Sequence, residues 1–298
     1  MKRAQTKLLL LGLKAVLQQP KLIQVAFFWL PIAGGLALII GGAVYFYESK
    51  IAQPKMTYMG VPFTQNNFST LTHVLRNDGY MLAYSEKLAN PIWVIYKVTQ
   101  DKKKYGKRPG FKSDWRSLAN ISSDDYKHSG YDRGHMAPNY VIASRYGREA
   151  QKETFLMTNI TPQKPKMNQK IWQRLEEVSA KHFSKKFAEF WVVTGPIFDE
   201  NPKRLKRTNI AIPKAFYKIF IVPATETSPP LSLAFIIPQN ANPKDSLLNY
   251  ITSIDEVEKQ TGIDFFWKLE DTVENKLEKA QNRQGWGLEN IANLPSRY

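Results

Sequence analysis

The chain has 298 residues, enough for one large domain with an appendage or for two small domains. Its 42 Lys and Arg against 26 Asp and Glu leave a formal net charge of +16, which favours polyanionic partners such as nucleic acid or anionic lipid headgroups. The absence of cysteine excludes disulfides, thiolate zinc sites and a cysteine nucleophile, so any metal must be held by oxygen or imidazole ligands.

Residues 1–24 form a basic leader carrying Lys2, Arg3, Lys7, Lys14 and Lys21 and no acid. Val25 to Tyr47 is an uncharged run that as a helix would be roughly 34 Å long, against a bilayer core of about 30 Å. Trp29, Tyr45 and Tyr47 near its ends suit the interfacial belts. The run reads as a transmembrane signal anchor at residues 25–47. The leader's charges then place the N-terminus in the cytoplasm and everything after residue 50 outside it. A single-pass inner-membrane protein with a periplasmic domain fits this pattern, and so does a protein facing the mitochondrial intermembrane space. A cleaved signal peptide processed near Gly41 to Ala43 is the competing reading.

Residues 48–65 read as a tether broken by Pro54, Gly60 and Pro62, residues 66–285 as the folded domain, and residues 286–298 as a tail. Within the domain, Gly79–Ser85 and Pro91–Thr99 are rich in aromatic and β-branched residues and predict an antiparallel pair. Gln100–Asp114 is a basic loop. Glu153–Ile160, Phe190–Phe198, Ala215–Ala224 and Leu231–Pro238 are further predicted strands. Between them, Asn168–Phe183 places Ile171, Trp172, Leu175 and Val178 at helical spacing. A second helix is expected over Asp245–Gly262, with Asp245 as N-cap and Gly262 as stop, and a third from Glu270 before the chain frays beyond Gly285. The fold class expected is α+β with a mixed or antiparallel central sheet.

Tyr131–Asn139 reads YDRGHMAPN. His135 is a candidate general base, because imidazole needs the least tuning to accept a proton from water near neutrality. Gly134 is read as permitting a close turn and Arg133 as a planar cation suited to phosphate. Further on, Asn168 stands at the start of the predicted helix and Glu176 two turns along it, an amide oxygen and a carboxylate able to serve a hard cation that keeps most of its waters. An ordinary N-cap for Asn168 and a solvated helix face for Glu176 are the competing readings.

Together YDRGHMAPN, ETFLMTNITPQ (Glu153–Gln163) and MNQKIWQRLE (Met167–Glu176) resemble the DNA/RNA non-specific endonuclease family, and the likeness extends from about Gly60 to Asp271. The resemblance implies a ββα-metal (His-Me finger) nuclease fold, in which a hairpin carrying the histidine packs beside a helix carrying the metal ligand. It implies His135 as general base, Asn168 as ligand to Mg²⁺ with Mn²⁺ as a substitute, and Glu176 as the acid that orients metal-bound water. It gives Asn159 a supporting role beside the histidine, makes Arg133 phosphate-facing and Arg108 an upstream arginine, and suggests a homodimer. The chain departs from the family where many members carry an arginine one turn after the glutamate: Ala180 stands there, with Lys181 beside it as a substitute cation for the substrate phosphate. The implied function is metal-dependent, sugar-non-specific hydrolysis of DNA and RNA. Two other readings stay open: a membrane-anchored nucleic-acid-binding protein of the same fold without turnover, and a phosphodiesterase for a small or lipid-linked substrate.

Overall fold

The computed structural model describes residues 20–64, 70–100 and 102–296, with side chains from Ala33 onward. Most of the basic leader therefore lies outside the described residues. The chain divides into two compact units, Met1–Ala52 and Gln53–Tyr298. In the first, helix α1 (Pro20–Tyr47) runs on into a π-helical turn, Glu48–Ala52. The expected membrane span thus falls on helical backbone, but among the described residues no helix is long and apolar enough to cross a membrane. The part of α1 whose side chains are described, from Ala33 on, is shorter than a bilayer core requires.

The second unit begins inside the expected tether, and that stretch is packed rather than free. Tyr58 is buried with its ring 6.2 Å from that of Phe266, and the Trp267 indole donates to the Val61 carbonyl at 2.9 Å. Gly60 has φ +114° and lies so close under Trp267 that a Cβ there would meet the indole nitrogen at 2.8 Å. Strand β1 (Phe63–Thr64) follows. Then come β2 (Thr72–Asn77), β3 (Tyr80–Ser85) and β4 (Asn90–Thr99), and the predicted antiparallel pair is β3 with β4, Tyr80 facing Tyr96.

After the basic loop come β5 (Asp132–His135), helices α2 (Asn139–Tyr146) and α3 (Arg148–Glu153), and β6 (Ile160–Gln163). The strand expected over Glu153–Ile160 is instead the end of α3 and a turn, Met157–Asn159. Its apolar residues are buried by loop packing, Phe155 against His135 and Met157 in a small cluster with Ile121 and Ile160, and not by strand alternation. The predicted long helix is present as a π-turn (Met167–Trp172), helix α4 (Gln173–Val178), a second π-turn (Ser179–Phe183) and a last turn, Ser184–Lys186.

Strands β7 (Glu189–Ile197), β8 (Ala215–Val222) and β9 (Leu231–Pro238) complete the centre of a seven-stranded antiparallel sheet with the order β10-β9-β8-β7-β4-β3-β2, where β10 is Ile251–Thr252. The single helix expected over Asp245–Gly262 is broken by β10, whose β-branched pair adds to the sheet edge. Helix α5 (Ile254–Thr261) therefore starts at Ser253, whose hydroxyl accepts from the Glu256 amide at 3.2 Å; Asp245 instead accepts from the Tyr250 hydroxyl at 2.6 Å. Gly262 ends α5 in the left-handed conformation, as expected. Strand β11 (Ile263–Asp264) pairs with β1, and helix α6 (Asp271–Lys279) answers the prediction from Glu270.

Alternation along the strands gives the sheet two apolar faces. Tyr80, Leu82, Tyr96, Phe216 and Phe220 face α2 and the helical run from Met167 to Lys186. Met81, Trp93, Ile95, Tyr217 and Ile219 face α5 and α6. The segment after Gly285, expected to fray, packs into the first layer. Trp286 is 1% exposed, donates to the Ser232 carbonyl at 3.0 Å, and has its ring 4.8 Å from those of Phe183 and Phe187. Trp286→Ala is expected to cost about 3–5 kcal/mol, read from the denaturant midpoint. A midpoint unchanged from the parent would show that this segment is not part of the core.

Candidate active site

The histidine sits at the end of β5, which pairs antiparallel with β6 so that Gly134 faces Thr161 and His135 faces Ile160. The two strands are not joined by a tight turn, because α2 and α3 lie between them. Gly134 accordingly serves cross-strand packing and not a turn. It lies within the strand, and a Cβ there would stand 2.1 Å from Gln163 Oε1.

The imidazole of His135 lies between two aromatic rings, Phe155 at 4.8 Å and nearly perpendicular, and Phe111 at 5.5 Å. Its Nε2 is buried without a hydrogen-bond partner. Burial among these groups, with the Arg108 charge adding to it, pushes the imidazole from 6.5 down to about 3. The ring is therefore neutral at physiological pH and keeps a free lone pair. The backbone just beyond it is held by Asn159, which is fully buried behind the cleft. Asn159 Oδ1 accepts from the Ala137 amide at 2.8 Å, and Nδ2 donates to the carbonyls of Ala137 at 3.0 Å and Thr154 at 2.9 Å. Its own carbonyl accepts from the Met136 amide at 3.0 Å.

Arg133 is fixed by a forked bond, Nε and Nη2 donating to the Ser123 carbonyl at 3.0 and 2.7 Å, with its guanidinium carbon 5.6 Å from the Phe111 ring centre. Asn168 lies in the first π-turn with its backbone amide bonded to the Lys164 carbonyl at 2.9 Å, so it is not the N-cap of that helix. Its side-chain Nδ2 donates to Asp132 Oδ2 at 2.9 Å, and Gln169 donates to the same oxygen at 2.8 Å. With the amide nitrogen committed to Asp132, Oδ1 is the atom left to meet a cation.

Glu176 is not on a solvated helix face. Its Oε1 lies 3.8 Å from the ammonium of Lys218, which is fully buried on β8 and stands 4.2 Å from the Trp172 ring centre. Burial pushes the Lys218 ammonium down and the Glu176 carboxyl up, and each group's charge opposes the shift of the other. Sequence reasoning missed Lys218, although a lone lysine between Phe216 and Phe220 on the inward face of a strand is a visible signal. It also gave no role to Asp132, which stands inside the quoted motif.

Arg108, Asp132, Arg133, His135, Asn168 and Glu176 all line one cleft of about 650 Å³. They come from the basic loop, β5, the π-turn and α4, so the fold brings together residues spread from position 108 to position 176. Lys181 is not among the residues lining it: its ammonium pairs with Glu177 one turn back on the helix. Ala180 is buried, with its carbonyl accepting from the Arg145 guanidinium at 3.3 Å, so position 180 faces the interior. The donors offered in the cleft, an amide oxygen and a carboxylate without sulfur, fit a hard divalent cation that retains several waters.

Residues 60–272, more than half of the chain, match the family model described as DNA/RNA non-specific endonuclease. The chain is 31% identical over 230 residues to Nuclease C1 of Cunninghamella echinulata var. echinulata, covering 71% of this chain and 87% of that protein. It is 31% identical over 202 residues to the Nuclease of Serratia marcescens, covering 64% of this chain and 73% of the relative. Against the mitochondrial Nuclease EXOG of Xenopus laevis it is 30% identical over 221 residues, 67% of this chain, and it spans 60% of that relative's length. The crystal structure of the EndoG/EndoGI complex contains a chain of the same fold, with a TM-score of 0.60 at 24% identity over 66% of this chain and 87% of that one. The antiparallel sheet, the histidine strand beside the amide-bearing helix and the extent of the match lead to one assignment: the chain belongs to the DNA/RNA non-specific endonuclease family.

Proposed function

We propose that the protein is a metal-dependent, sugar-non-specific endonuclease that hydrolyses phosphodiester bonds of DNA and RNA. The observation that carries this reading is the convergence of His135, Arg108, Arg133, Asn168 and Glu176 on a single cleft. His135 acts as general base: its neutral imidazole, which lines the cleft, takes a proton from a water aligned with the scissile bond. Arg133, already fixed on Ser123, and Arg108 hold the non-bridging phosphate oxygens. Asn168 through Oδ1, and Glu176 through a water, hold the cation, with Mg²⁺ as the expected ion and Mn²⁺ as its substitute. When bound, that ion supplies positive charge at the phosphate and the departing 3′ oxygen, which leaves 5′-phosphate products. Asn159, Asp132 and Lys218 are positioning residues, setting respectively the backbone after His135, the amide of Asn168 and the carboxylate of Glu176.

Phosphate contacts carry no sequence information, so cleavage is expected without base preference; action on both DNA and RNA is supported by membership of the family. The acid-free leader and the uncharged run before residue 48 support placement of the domain outside the cytoplasm, at a bacterial inner membrane or in the mitochondrial intermembrane space. Assembly as a homodimer belongs to the same proposal and is supported by the family resemblance.

Three outcomes test it. His135→Ala is expected to lower plasmid and RNA cleavage by about 10²–10⁴-fold while leaving salt-sensitive binding intact, measured by turnover and by filter binding. Equal cleavage by the variant would remove the general-base assignment, and binding without cleavage by the parent would favour the nucleic-acid-binding reading instead. Because the folded imidazole titrates well below its ordinary 6.5, the base form persists as pH falls, and the His135 limb of kcat/KM is expected to lie below 6.5. The same depression means that the unfolded chain binds the proton first, so this group's contribution to stability declines as pH drops from about 6.5 towards 3. A cleavage limb at or above 6.5 would contradict the buried, neutral histidine. Asn168→Ala is expected to raise the Mg²⁺ concentration needed for half-maximal cleavage by tenfold or more, on the order of the loss of one direct ligand; an unchanged requirement would place the cation elsewhere.

A further inference from the structure

On the sheet face opposite the cleft, helices α5 and α6 bring together carboxylates that the proposed nuclease reaction does not use. Asp255 and Glu258 lie one turn apart on α5, and Glu278 stands near the end of α6. One oxygen from each of the three lies within 4.8 Å of the others. In a chain of net charge +16, surface carboxylates would be expected to find lysines or arginines, and Glu256 next to the cluster does pair with Lys259. Among the described residues no such ion pair forms with Asp255, Glu258 or Glu278. Glu258 Oε1 accepts from the Phe265 amide at 2.8 Å.

Glu278 is the independent observation that points to a ligand. It is 8% exposed, and its Oε1 is buried without any hydrogen-bond partner. A buried carboxylate oxygen without a partner, on a side chain grouped with two further carboxylates, is destabilising unless a proton or a cation joins it. Asp264 and Glu274 add to the negative field. Burial first, and these neighbours next, push the Glu278 and Glu258 carboxyls up.

The donor set selects the cation. It is all carboxylate oxygen, without the sulfur or imidazole that zinc favours. The flexible 6–8-fold shell of calcium accepts such carboxylates, mono- or bidentate, with waters at the open side, without the near-ideal octahedron that magnesium demands.

We propose that Asp255, Glu258 and Glu278 form a structural calcium site, distinct from the catalytic cation site, that clamps α5 to α6 over the back of the sheet. The clamp acts where the two helices already meet the second core layer: Ile254, Val257 and Leu277 are buried there, and the Leu277 carbonyl accepts from the Ser232 hydroxyl of β9 at 2.9 Å.

The test uses the full chain carrying Asn168→Ala, which removes the proposed ligand of the other site, titrated with calcium chloride after chelator treatment. Calorimetry is expected to show one equivalent bound, and thermal unfolding an upward shift of about 5 °C at a hundredfold excess over Kd. Adding Glu278→Gln should abolish both signals, with the calcium-free melting point at or above the parent's, because the amide replaces an acid that is costly to bury whether charged or protonated. Asp255→Asn, at a more exposed ligand, should weaken calcium binding at least tenfold and serves if Glu278→Gln does not fold. Absence of binding up to millimolar calcium, or an undiminished shift in the Glu278 or Asp255 variant, would overturn the proposal. Neither result depends on nuclease turnover, so failure here is distinguishable from failure of the nuclease reading.

Discussion

The side chain of Asp132 accepts from the Asn168 amide at 2.9 Å, and the geometry of the cleft depends on that bond. Asp132 lies on β5, three residues before the histidine, and Asn168 on the π-turn that leads into α4. The bond joins the strand that holds the base to the helix that offers an oxygen. It also decides which end of the amide faces the cleft, because an Asn side chain with its nitrogen bound to a carboxylate presents its oxygen on the other side. A second layer of polar bonds backs the first. Asn159, 0% exposed, satisfies both ends of its amide on backbone groups next to His135, so the loop after the histidine has no alternative set of partners.

The sheet contributes charge as well as support. Lys218 is the one fully buried lysine among the largest buried side chains, standing in a strand otherwise made of apolar and aromatic groups. A charge in such surroundings persists only if it is paired, and its partner is Glu176, with the Trp172 ring beneath the ammonium supplying further stabilisation. The pair links β8 to α4 and limits where the carboxylate can point. The inward lysine thus trades packing in the core for control of the carboxylate at the cleft, a compromise of the kind that polar groups buried near reacting centres often make.

How much of this was legible in the sequence depended on whether a residue's role is local. The central strands follow from alternation and β-branched content, and their edges agree with the structure to within a residue or two. His135, Arg133 and Asn168 stand in compact motifs, and the fold places them in one cleft. Where the signal was misread, a non-local contact decided the outcome. Gly134 is required by the side chain of Gln163 across the ribbon, which no local turn rule anticipates. Ile251 and Thr252 leave a helical pattern because a sheet edge is there to accept them. Trp286 lies in a stretch with no periodicity, so its burial among Phe183, Phe187 and Phe220 is invisible until the first layer is assembled. Lys181, an apparent substitute for the missing arginine, is the local exception: it pairs with Glu177 on its own helix and does not line the cleft.

The charge distribution connects the two faces of the sheet. A strongly basic chain attracts polyanions along its whole surface, and a cleft containing Arg108 and Arg133 concentrates that field where the proposed chemistry needs it. The same net charge makes an acidic cluster on the opposite face harder to account for as mere surface, because basic side chains are abundant and among the described residues none forms an ion pair with it. Helices α5 and α6 cover the apolar back of the sheet, and the strands on which Lys218 and its neighbours stand are held from behind by that layer. Glu278 therefore stands in the layer that packs on β8 and β9 from behind, while Lys218 points from β8 to the other face and meets Glu176 there.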